Sequence, residues 1–332
     1  MALLTLLSLT ACQSANVPQQ NSAPRTELPF NEPLFQFVVM GDRTGGHRPG
    51  VFSSALRQVN LLQPAFVMGV GDLIEGYTDN IPELSAQWDE FDDIVNQLEM
   101  PFFYTVGNHD ISNTTMRDVW QQRYGPTYWS FVYRDVLFIS LDTEDPPIAL
   151  PDPYVDGQRR LEAAMARDAE GTQQMLLQRS RERPEPVRLP GSVAISDQQL
   201  AFVERTLADH SDVAWTVLLM HKPAWLYGSE AFAQIEQRLN TRDYTVFAGH
   251  EHYYTYEQRA GRDYIDMGTT GGVWLQDGPG RLDHVALVTM TKNGPIVAQL
   301  ALNGVFDKRG PRPEPAGLTE ESPVEAAGET YE

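Results

Sequence analysis

Short apolar runs alternate with amphipathic segments in the first third of the chain. The runs Leu34–Met40, Ala65–Val70 and Phe102–Val106 predict three buried strands. Between them, apolar residues recur at helical spacing, which predicts two helices that each pack one face on a sheet. This spacing is carried by Val51, Ala55, Val59 and Leu62 in the first helix, and by Leu84, Trp88, Phe91, Val95 and Leu98 in the second. The order strand–helix–strand–helix–strand is typical of a mainly parallel sheet with right-handed crossovers.

Strand-like segments dominate the middle and the end of the chain. Thr127–Tyr133 and Val136–Leu141 meet at a tight turn and predict an antiparallel hairpin. Val213–Met220 and Tyr244–Ala248 predict two further buried strands, and the capping box Ser196–Gln199 starts a helix before the first of them. Later alternating segments suit a second sheet stacked on the first. They are Tyr253–Gln258, Tyr264–Met267, His284–Met290 and Ile296–Leu302.

The segment Pro146–Pro190 interrupts this pattern and is interpreted as an insertion, residues 146–190. Its ends are rich in proline, and its charged middle from Gln158 to Arg183 predicts a helix without a clean apolar stripe. Such a segment is a lid over a site, a surface for a partner or a solvated excursion. The sequence leaves these three interpretations open.

The charge of the chain excludes some classes of partner. Its 332 residues carry a formal net charge of −20 at pH 7. Because surfaces that track nucleic-acid phosphates need a basic excess, we expect no nucleic-acid partner. Part of the acidity lies in the stretch Asp307–Glu332, which holds seven acidic and three basic residues. With its Pro, Gly and Glu content, residues 305–332 are predicted to be a disordered acidic tail.

The N-terminal residues resemble a lipoprotein export signal. The single cysteine, Cys12, follows Leu9-Thr10-Ala11 at the end of the apolar stretch Ala2–Leu9, which is too short to span a bilayer. Leu-Thr-Ala-Cys resembles the bacterial lipobox, in which the cysteine carries the lipid. No Lys or Arg precedes the apolar stretch, which departs from the usual pattern.

This resemblance predicts where the protein is located. Residues 1–12 would be the signal segment, residues 13–33 a flexible tether, and Cys12 a lipid anchor to the membrane. Gln13 is not the Asp that is associated with retention in the inner membrane. The expected location is therefore the bacterial cell envelope, on the periplasmic side, as an outer-membrane lipoprotein.

Polar side chains follow five of the predicted strands at the point where each strand ends. Such sheets bind ligands at the carboxyl ends of their strands, so we expect these side chains to form one site. Taken alone, each Asp or Asn is explained by a turn, and each His is better explained as a satisfied core or surface histidine. It is their recurrence that favours a site. Carboxylates and imidazoles together suit borderline metals such as Mn, Fe or Zn. The residues are Asp42, Asp72, Asn108, His109, His221, His250 and His252.

In their order along the chain, these motifs resemble the calcineurin-like metallophosphoesterase family. The resemblance covers about Leu34–Leu302 and implies a domain at residues 34–304. The implied fold is α/β, a four-layer α/β/β/α sandwich of two stacked mixed sheets flanked by helices, with two divalent or trivalent metal ions. The five family blocks GD, GD, GNH(D/E), H and GHxH correspond to Gly41-Asp42, Gly71-Asp72, Gly107–Asp110, His221 and Gly249–His252.

The resemblance also implies a role for each side chain. Asp72 would bridge both metals. His109 would stabilise charge on the phosphoryl oxygens or protonate the leaving group, and Asp110 would orient its imidazole. The remaining ligands would divide between the two ions, with Asp42 and His252 on one and Asn108, His221 and His250 on the other.

One position departs from the family pattern. The family usually places a metal-binding histidine two residues after the first aspartate, and here that residue is Thr44. The purple acid phosphatase branch also lacks this histidine and supplies a tyrosine three residues after the bridging aspartate, where this chain has Glu75. Our hypothesis is that Glu75, or else His47, binds the first metal; the alternative is a weaker or water-filled site. Arg43 would contact the substrate phosphate or form a salt bridge.

The expected function is metal-dependent hydrolysis of phosphomonoesters or phosphodiesters. Two cations that share Asp72 would lower the pKa of a bridging water from ~15.7 towards ~7, and the resulting hydroxide would attack phosphorus. The substrate would be a small-molecule or exported phosphate ester. A first alternative is a non-catalytic metal- or phosphate-binding lipoprotein on the same fold. A second is an interaction protein that works through the insertion.

Overall fold

The computed structural model describes residues 34–148, 150–182, 188, 191–302 and 304–307, all within the compact unit Pro33–Glu332. The predicted signal segment, the tether and the tail from residue 308 onward lie outside the described residues. The strands, in chain order, are β1 (Phe35–Met40), β2 (Val67–Gly69), β3 (Phe102–Phe103), β4 (Trp129–Tyr133), β5 (Val136–Ser140), β6 (Trp215–Leu219), β7 (Tyr244–Ala248), β8 (Thr255–Arg259), β9 (Arg262–Asp266), β10 (His284–Thr291), β11 (Gly294–Ala301) and β12 (Gly304–Asp307).

Helices connect these strands, and several begin at a polar capping side chain. The Ser196 hydroxyl accepts the backbone N–H of Gln199 at 3.2 Å, as the capping-box pattern predicts. Asn113 caps another helix by accepting the N–H of Met116 at 2.9 Å. The helices are α1 (Val51–Leu62), α2 (Ile81–Val95), α3 (Thr114–Tyr124), α4 (Asp152–Arg167), α5 (Ala169–Glu182), α6 (Asp197–Asp209) and α7 (Glu230–Leu239).

The strands form two mixed sheets of six strands each. The first has the order β12-β11-β10-β1-β2-β3, with β1, β2 and β3 parallel and β10 antiparallel to β1. The second has the order β4-β5-β6-β7-β9-β8, with β5, β6, β7 and β9 parallel and an antiparallel strand at each edge. Each sheet therefore contains a parallel block whose strand ends point to the same edge.

Three clusters of buried apolar side chains lie between four layers. On β1, Phe37 and Val39 face the second sheet, while Val38 and Met40 face the helices, because successive side chains of a strand alternate between faces. The outer face of the second sheet is covered by α6 and α7. These clusters confirm the predicted α/β/β/α sandwich of two stacked mixed sheets.

Several details of the predicted fold are corrected by the structure. The strands predicted around His284–Met290 and Ile296–Leu302 belong to the first sheet, because β10 pairs with β1. The predicted strand Phe102–Val106 is shorter, since only Phe102 and Phe103 pair with β2. The insertion forms two helices that meet at Asp168 instead of one, and α3 was not predicted.

No helix in the described part of the chain combines the length and the apolar character that a membrane span needs.

Candidate metal centre

The polar residues lie in five loops that follow parallel strands of the two sheets. In the first sheet, β1, β2 and β3 lead into the loops of the two aspartates and of the Asn108 motif. In the second sheet, β6 and β7 lead into the loops of the three other histidines. Both sheets thus contribute side chains to one buried site. The residues brought together are Asp42, Asp72, Asn108, His109, His221, His250 and His252.

Two groups of side chains in this site could each hold a metal ion. One consists of Asp42, Asp72 and His252, and the other of Asp72, His221 and His250. Within each group, one ligand atom from every residue lies within 4.8 Å of the others. Asp72 belongs to both groups. The arrangement therefore fits two ions that share one carboxylate.

The atoms of the second group converge on the Nε2 atom of His221. Asp72 Oδ2 lies 3.1 Å from this atom, Asn108 Oδ1 3.0 Å and His250 Nδ1 3.2 Å. Separations of about 3 Å suit neighbouring ligands of an ion whose bonds to nitrogen and oxygen are about 2.1 Å long. Asn108 thus joins the group to which the family resemblance assigns it.

Backbone carbonyls fix the ring orientation of two histidines. His221 Nδ1 lies 3.0 Å from the carbonyl oxygen of Val70, and His252 Nδ1 lies 2.5 Å from that of Val273. A ring that donates its Nδ1–H to a carbonyl keeps Nε2 directed at the centre, which is how metal-binding histidines are commonly held. Both Nε2 atoms contact an aspartate of the site.

Asp42 carries a further feature that fits a cation. Its Oδ2 accepts the N–H of His250 at 2.9 Å and lies 3.1 Å from His252 Nε2. Its Oδ1 is buried and has no hydrogen-bond partner. A buried carboxylate oxygen without a partner is costly, and a metal ion would satisfy it.

Charge interactions keep the shared carboxylate ionised. Burial would raise the pKa of Asp72, but the charges of His221 and His109 hold it well below its usual range. Burial would likewise lower the pKa of His221, but Asp72 raises it to about 9. Asp72 is therefore an anion at neutral pH, as a bridging ligand must be.

Two glycines of the sequence motifs make room for the carboxylates. A Cβ atom on Gly107 would lie 2.2 Å from Asp72 Oδ1, and one on Gly249 would lie 2.3 Å from Asp42 Oδ1. Any larger residue at these positions would displace an aspartate that belongs to a ligand group. The GNH and GHxH motifs therefore include glycine for a steric reason.

The catalytic candidate His109 lies beside the shared carboxylate. Its backbone N–H donates to Asp72 Oδ1 at 2.9 Å, and its Nδ1 lies 2.8 Å from the carbonyl oxygen of Glu75. This carbonyl, not Asp110, orients the imidazole. Nε2 is left 3.9 Å from Asp72 Oδ2 and faces the centre.

Asp110 has a different position from the one expected. Its carboxylate accepts backbone N–H groups and so ties the loop after β3 to the loop after β2. Burial and the charge of Asp72 raise its pKa to about 7. These hydrogen bonds fix the backbone of the loop that carries Asp72. The four donors are the N–H groups of Gly107, Asp72, Leu73 and Ile74.

Glu75 and His47 lie outside both ligand groups. The Glu75 carboxylate accepts the N–H of Gly46 at 3.1 Å and of His47 at 2.8 Å, and it contacts the His47 ring at 3.1 Å. Burial would raise the pKa of Glu75, but His47 and the charge of His109 lower it to about 2. The hypothesis that either residue replaces the histidine missing at Thr44 finds no support in this geometry.

Arg43 is committed to contacts outside the centre. Its guanidinium donates to the carbonyl oxygen of Leu73 at 2.9 Å and to the Glu90 carboxylate at 2.6 Å. It also lies 5.6 Å from the centre of the Phe91 ring. Arg43 was expected either to contact the substrate phosphate or to form a salt bridge. In the structure it forms a salt bridge with Glu90.

Two features of the site were missed by the sequence analysis. One is Tyr77, whose hydroxyl lies 2.7 Å from Asn108 Nδ2; its only signal is a place in the same loop as Asp72. The other is the set of contacts between the insertion and the loops around the centre, since a lid was one interpretation of the sequence but none of its contacts was predicted. The Gln173 side chain makes two hydrogen bonds with the backbone of Trp274, at 2.8 and 2.9 Å, and Arg181 pairs with Asp277 at 2.6 Å. These contacts favour the lid interpretation over a solvated excursion.

Fold and site together define a class, that of α/β/β/α sandwiches with carboxylate–histidine groups fit for metal ions. The chain belongs to the calcineurin-like phosphoesterase family, whose model matches residues 35–254, more than half of the chain. No curated protein matches the sequence significantly.

Solved structures support the same fold. A dimetal phosphatase from Danio rerio is similar with a TM-score of 0.58 and 13% identity over 84% of this chain and 100% of its own. A purple acid phosphatase from yellow lupin seeds has a TM-score of 0.56 and 13% identity over 83% of this chain and 53% of its own. The anchor protein of the Plasmodium inner membrane complex has a TM-score of 0.52 and 11% identity over 85% of this chain and 91% of its own.

Proposed function

We propose that this protein is a metal-dependent phosphoesterase that hydrolyses phosphomonoesters or phosphodiesters. The observation that carries the proposal is that one ionised carboxylate, Asp72, belongs to two groups of candidate metal ligands. Two ions that share a ligand are a common way to clamp a phosphoryl group that is transferred to water. Membership of the calcineurin-like phosphoesterase family supports the same chemistry.

The proposed assignment of residues to the two ions follows the two ligand groups. The ions are proposed to be drawn from Mn, Fe and Zn, because the donors mix carboxylate oxygen with imidazole nitrogen. When bound, they would supply an activated water and neutralise charge on the phosphoryl oxygens. Asp72 would be shared, with Asp42 and His252 holding one ion and Asn108, His221 and His250 the other.

His109 is proposed to act on the substrate directly. Its Nδ1–H is held by the carbonyl oxygen of Glu75, so the ring presents Nε2 towards Asp72. From there it can donate a hydrogen bond to a phosphoryl oxygen, or a proton to the leaving group. Asp110 acts one step further away, because it fixes the backbone of the Asp72 loop.

Substrate and location are extensions of this proposal. We propose a small-molecule or exported phosphate ester as substrate, and no nucleic acid, because the net charge is −20. The sequence Leu9–Cys12 supports a lipid anchor on Cys12 and a place on the periplasmic side of the bacterial outer membrane. Mass analysis of the mature N-terminus, with Cys12→Ser for comparison, tests the anchor.

The activity is tested with two chromogenic esters, p-nitrophenyl phosphate and bis-p-nitrophenyl phosphate. The full chain is stripped of metal with a chelator and assayed after addition of Mn, Zn, Ni or Mg. We expect hydrolysis that depends on the added metal, and the preferred ester identifies the substrate class.

Asp72→Asn is the matched control, because it keeps the size of the side chain and removes its charge. Hydrolysis that survives in Asp72→Asn would come from a contaminant or from another site. Folded wild-type protein that hydrolyses neither ester with any metal would count against the proposal.

A second function is favoured by one observation, the threonine at position 44. With Thr44 in place of the family histidine, the Asp42 group has only three candidate ligands in the described part of the chain. A non-catalytic metal- or phosphate-binding protein would fit such a centre. One structural relative is named as an anchor protein, so the fold also serves proteins with that description. Tight metal binding without hydrolysis of either ester would favour this alternative.

A further inference from the structure

Tyr77 contacts both functional residues of the Asn108-His109 pair. Its hydroxyl accepts a hydrogen bond from Asn108 Nδ2 at 2.7 Å. Its ring meets the His109 ring edge to face, with centroids 4.4 Å apart. The side chain is buried. One residue thus holds a candidate metal ligand and the candidate proton donor at the same time.

The backbone of Tyr77 has an unusual conformation. Its φ is 49°, a left-handed value that is costly for an aromatic residue. Eight non-glycine residues in the described part of the chain have positive φ, and three of the others are candidate ligands, namely Asp72, His250 and His252. Strain of this kind persists where the surrounding structure fixes it, and it is concentrated at functional sites. Tyr77 shares this property with the ligands.

The insertion contacts Tyr77 through helix α4. The ring of Tyr154, on α4, lies 5.8 Å from the Tyr77 ring between centroids. Arg159, also on α4, donates to the carbonyl oxygen of Tyr77 at 3.3 Å. A contact path therefore runs from the insertion through Tyr77 to Asn108.

We propose that Tyr77 is a positioning residue of the metal centre. Its hydroxyl holds the side-chain nitrogen of Asn108, so that Asn108 Oδ1 points at His221 Nε2. Its ring holds His109 in place beside the shared carboxylate. The inference rests on the proposed function, because it assumes that the second ligand group binds a metal ion.

The Tyr77 hydroxyl affects metal binding because the two ends of the Asn108 amide group differ. Only one end of the Asn108 amide is an oxygen that can bind a metal, and its nitrogen end must be kept away from the ion. In the structure, the Tyr77 hydroxyl takes that nitrogen end. Without the hydroxyl, the amide turns more freely, and part of the population presents nitrogen to the centre. Partners that orient metal ligands in this way commonly change metal affinity by about 10- to 100-fold.

Metal binding by the full chain tests the role of the hydroxyl. Zn and Mn titrations of chelator-treated protein by calorimetry give the affinities of both ions. We expect Tyr77→Phe to lower the affinity for one ion by about 10- to 100-fold and to leave the affinity for the other unchanged. Tyr104→Phe is the matched control, since it removes a hydroxyl that binds Asp92 at 3.0 Å, away from the centre.

A double-mutant cycle separates positioning from a general loss of structure. Asn108→Asp places oxygen at both ends of the side chain, so rotation no longer removes the ligand. We expect Tyr77→Phe to cost much less metal affinity in the Asn108→Asp background than in the wild type. An equal loss in both backgrounds would overturn the positioning role.

A second variant tests the ring. Tyr77→Leu removes the contact with His109 as well as the hydroxyl. We expect it to bind metal like Tyr77→Phe but to lower kcat further, with little additional change in KM. Equal kcat in the two variants would refute the role of the ring.

Failure of the inference differs from failure of the proposed function. If wild-type protein binds two ions and Tyr77→Phe binds both with the same affinities, Tyr77 is not a positioning residue. If wild-type protein binds no ion at all, the proposed function fails first, and the inference fails with it.

Discussion

The two ligand groups of the candidate centre share Asp72 but differ in charge and in number of donors. The first contains two carboxylates and one imidazole, from Asp42, Asp72 and His252. The second contains one carboxylate and two imidazoles, and the Asn108 oxygen lies 3.0 Å from His221 Nε2. The first is more anionic, because it has two carboxylates. It also has fewer donors, because Thr44 stands where the family has a histidine. We therefore expect the second group to bind its ion more tightly, and nitrogen-favouring metals best.

The largest effect is expected from the residue that the groups share. Asp72→Asn removes the charge that both ions would need, so both should be lost together. Two-metal stabilisation of phosphoryl transfer amounts to several kcal/mol, so kcat/KM should fall by about 1,000-fold or more. Metal content after gel filtration, measured beside the assay, checks the cause. Retention of both ions by Asp72→Asn would show that the carboxylate is not shared.

A matched pair of variants separates the two groups. His221→Asn and His252→Asn each remove one imidazole that a backbone carbonyl orients. Each substitution should lower the affinity for one ion by about 100-fold or more and leave the other ion bound. Calorimetric titration with Zn and with Mn measures this. If the second group is the tighter one, the higher-affinity step disappears only in His221→Asn. Loss of the same step in both variants would contradict a division into two sites.

Thr44→His tests whether the first group is weak for want of a ligand. Thr44 is buried in the same loop as Asp42, two residues further along the chain. A histidine that reaches the ion should raise the affinity of the weaker metal-binding step by roughly tenfold, which is about 1.4 kcal/mol. Thr44→Gln, which adds bulk without an imidazole, is the control. An unchanged weaker step in folded Thr44→His protein would mean that the missing histidine does not limit this group.

Short-range patterns allowed much of the fold to be predicted. The three parallel strands of the first sheet, the hairpin and the capping box all depend on residues that are close in sequence. The place of β10 was predicted wrongly, because Phe35 pairs with Met290 across almost the whole chain. Alternation of apolar residues shows that a segment is a strand but not which sheet it joins.

The residues of the candidate site were likewise predicted from short-range patterns. The contacts between its loops were not. Asp42, Asp72 and the histidines follow strand ends, and strand ends of a parallel block meet at one edge. The positions of Glu75 and Asp110 depend on how two loops face each other, which no spacing encodes. Glu75 binds the backbone of Gly46, and Asp110 binds that of Leu73. Both had been assigned to the centre from the family resemblance, whereas the structure uses them to fix the loops around it.

His284 sharpens the comparison of the two groups, because it is a buried histidine outside both. Its Nδ1 lies 2.7 Å from the Gln299 side-chain oxygen, and its Nε2 accepts the N–H of Gly268 at 2.8 Å. Burial lowers its pKa to about 4, against an ordinary value of 6.5. At His221, the Asp72 carboxylate overcomes the same effect of burial and raises the pKa to about 9. Burial alone therefore favours the neutral ring, and only a carboxylate of the centre reverses this.

The smallest predicted effect is the loss of folding stability that His284 causes at acidic pH. Above pH 6.5 its ring is neutral in the folded and in the unfolded chain. As the pH falls below 6.5 towards 4, the unfolded chain binds a proton that the folded chain does not, so the free energy of unfolding decreases. Between pH 7.5 and 5.5, this loss should be about 1 kcal/mol. Urea unfolding with a chelator present measures it. His284→Gln should lose this part of the pH dependence and the half-buried His210→Gln should retain it, whereas a parallel decline of wild type and His284→Gln would show that His284 does not contribute.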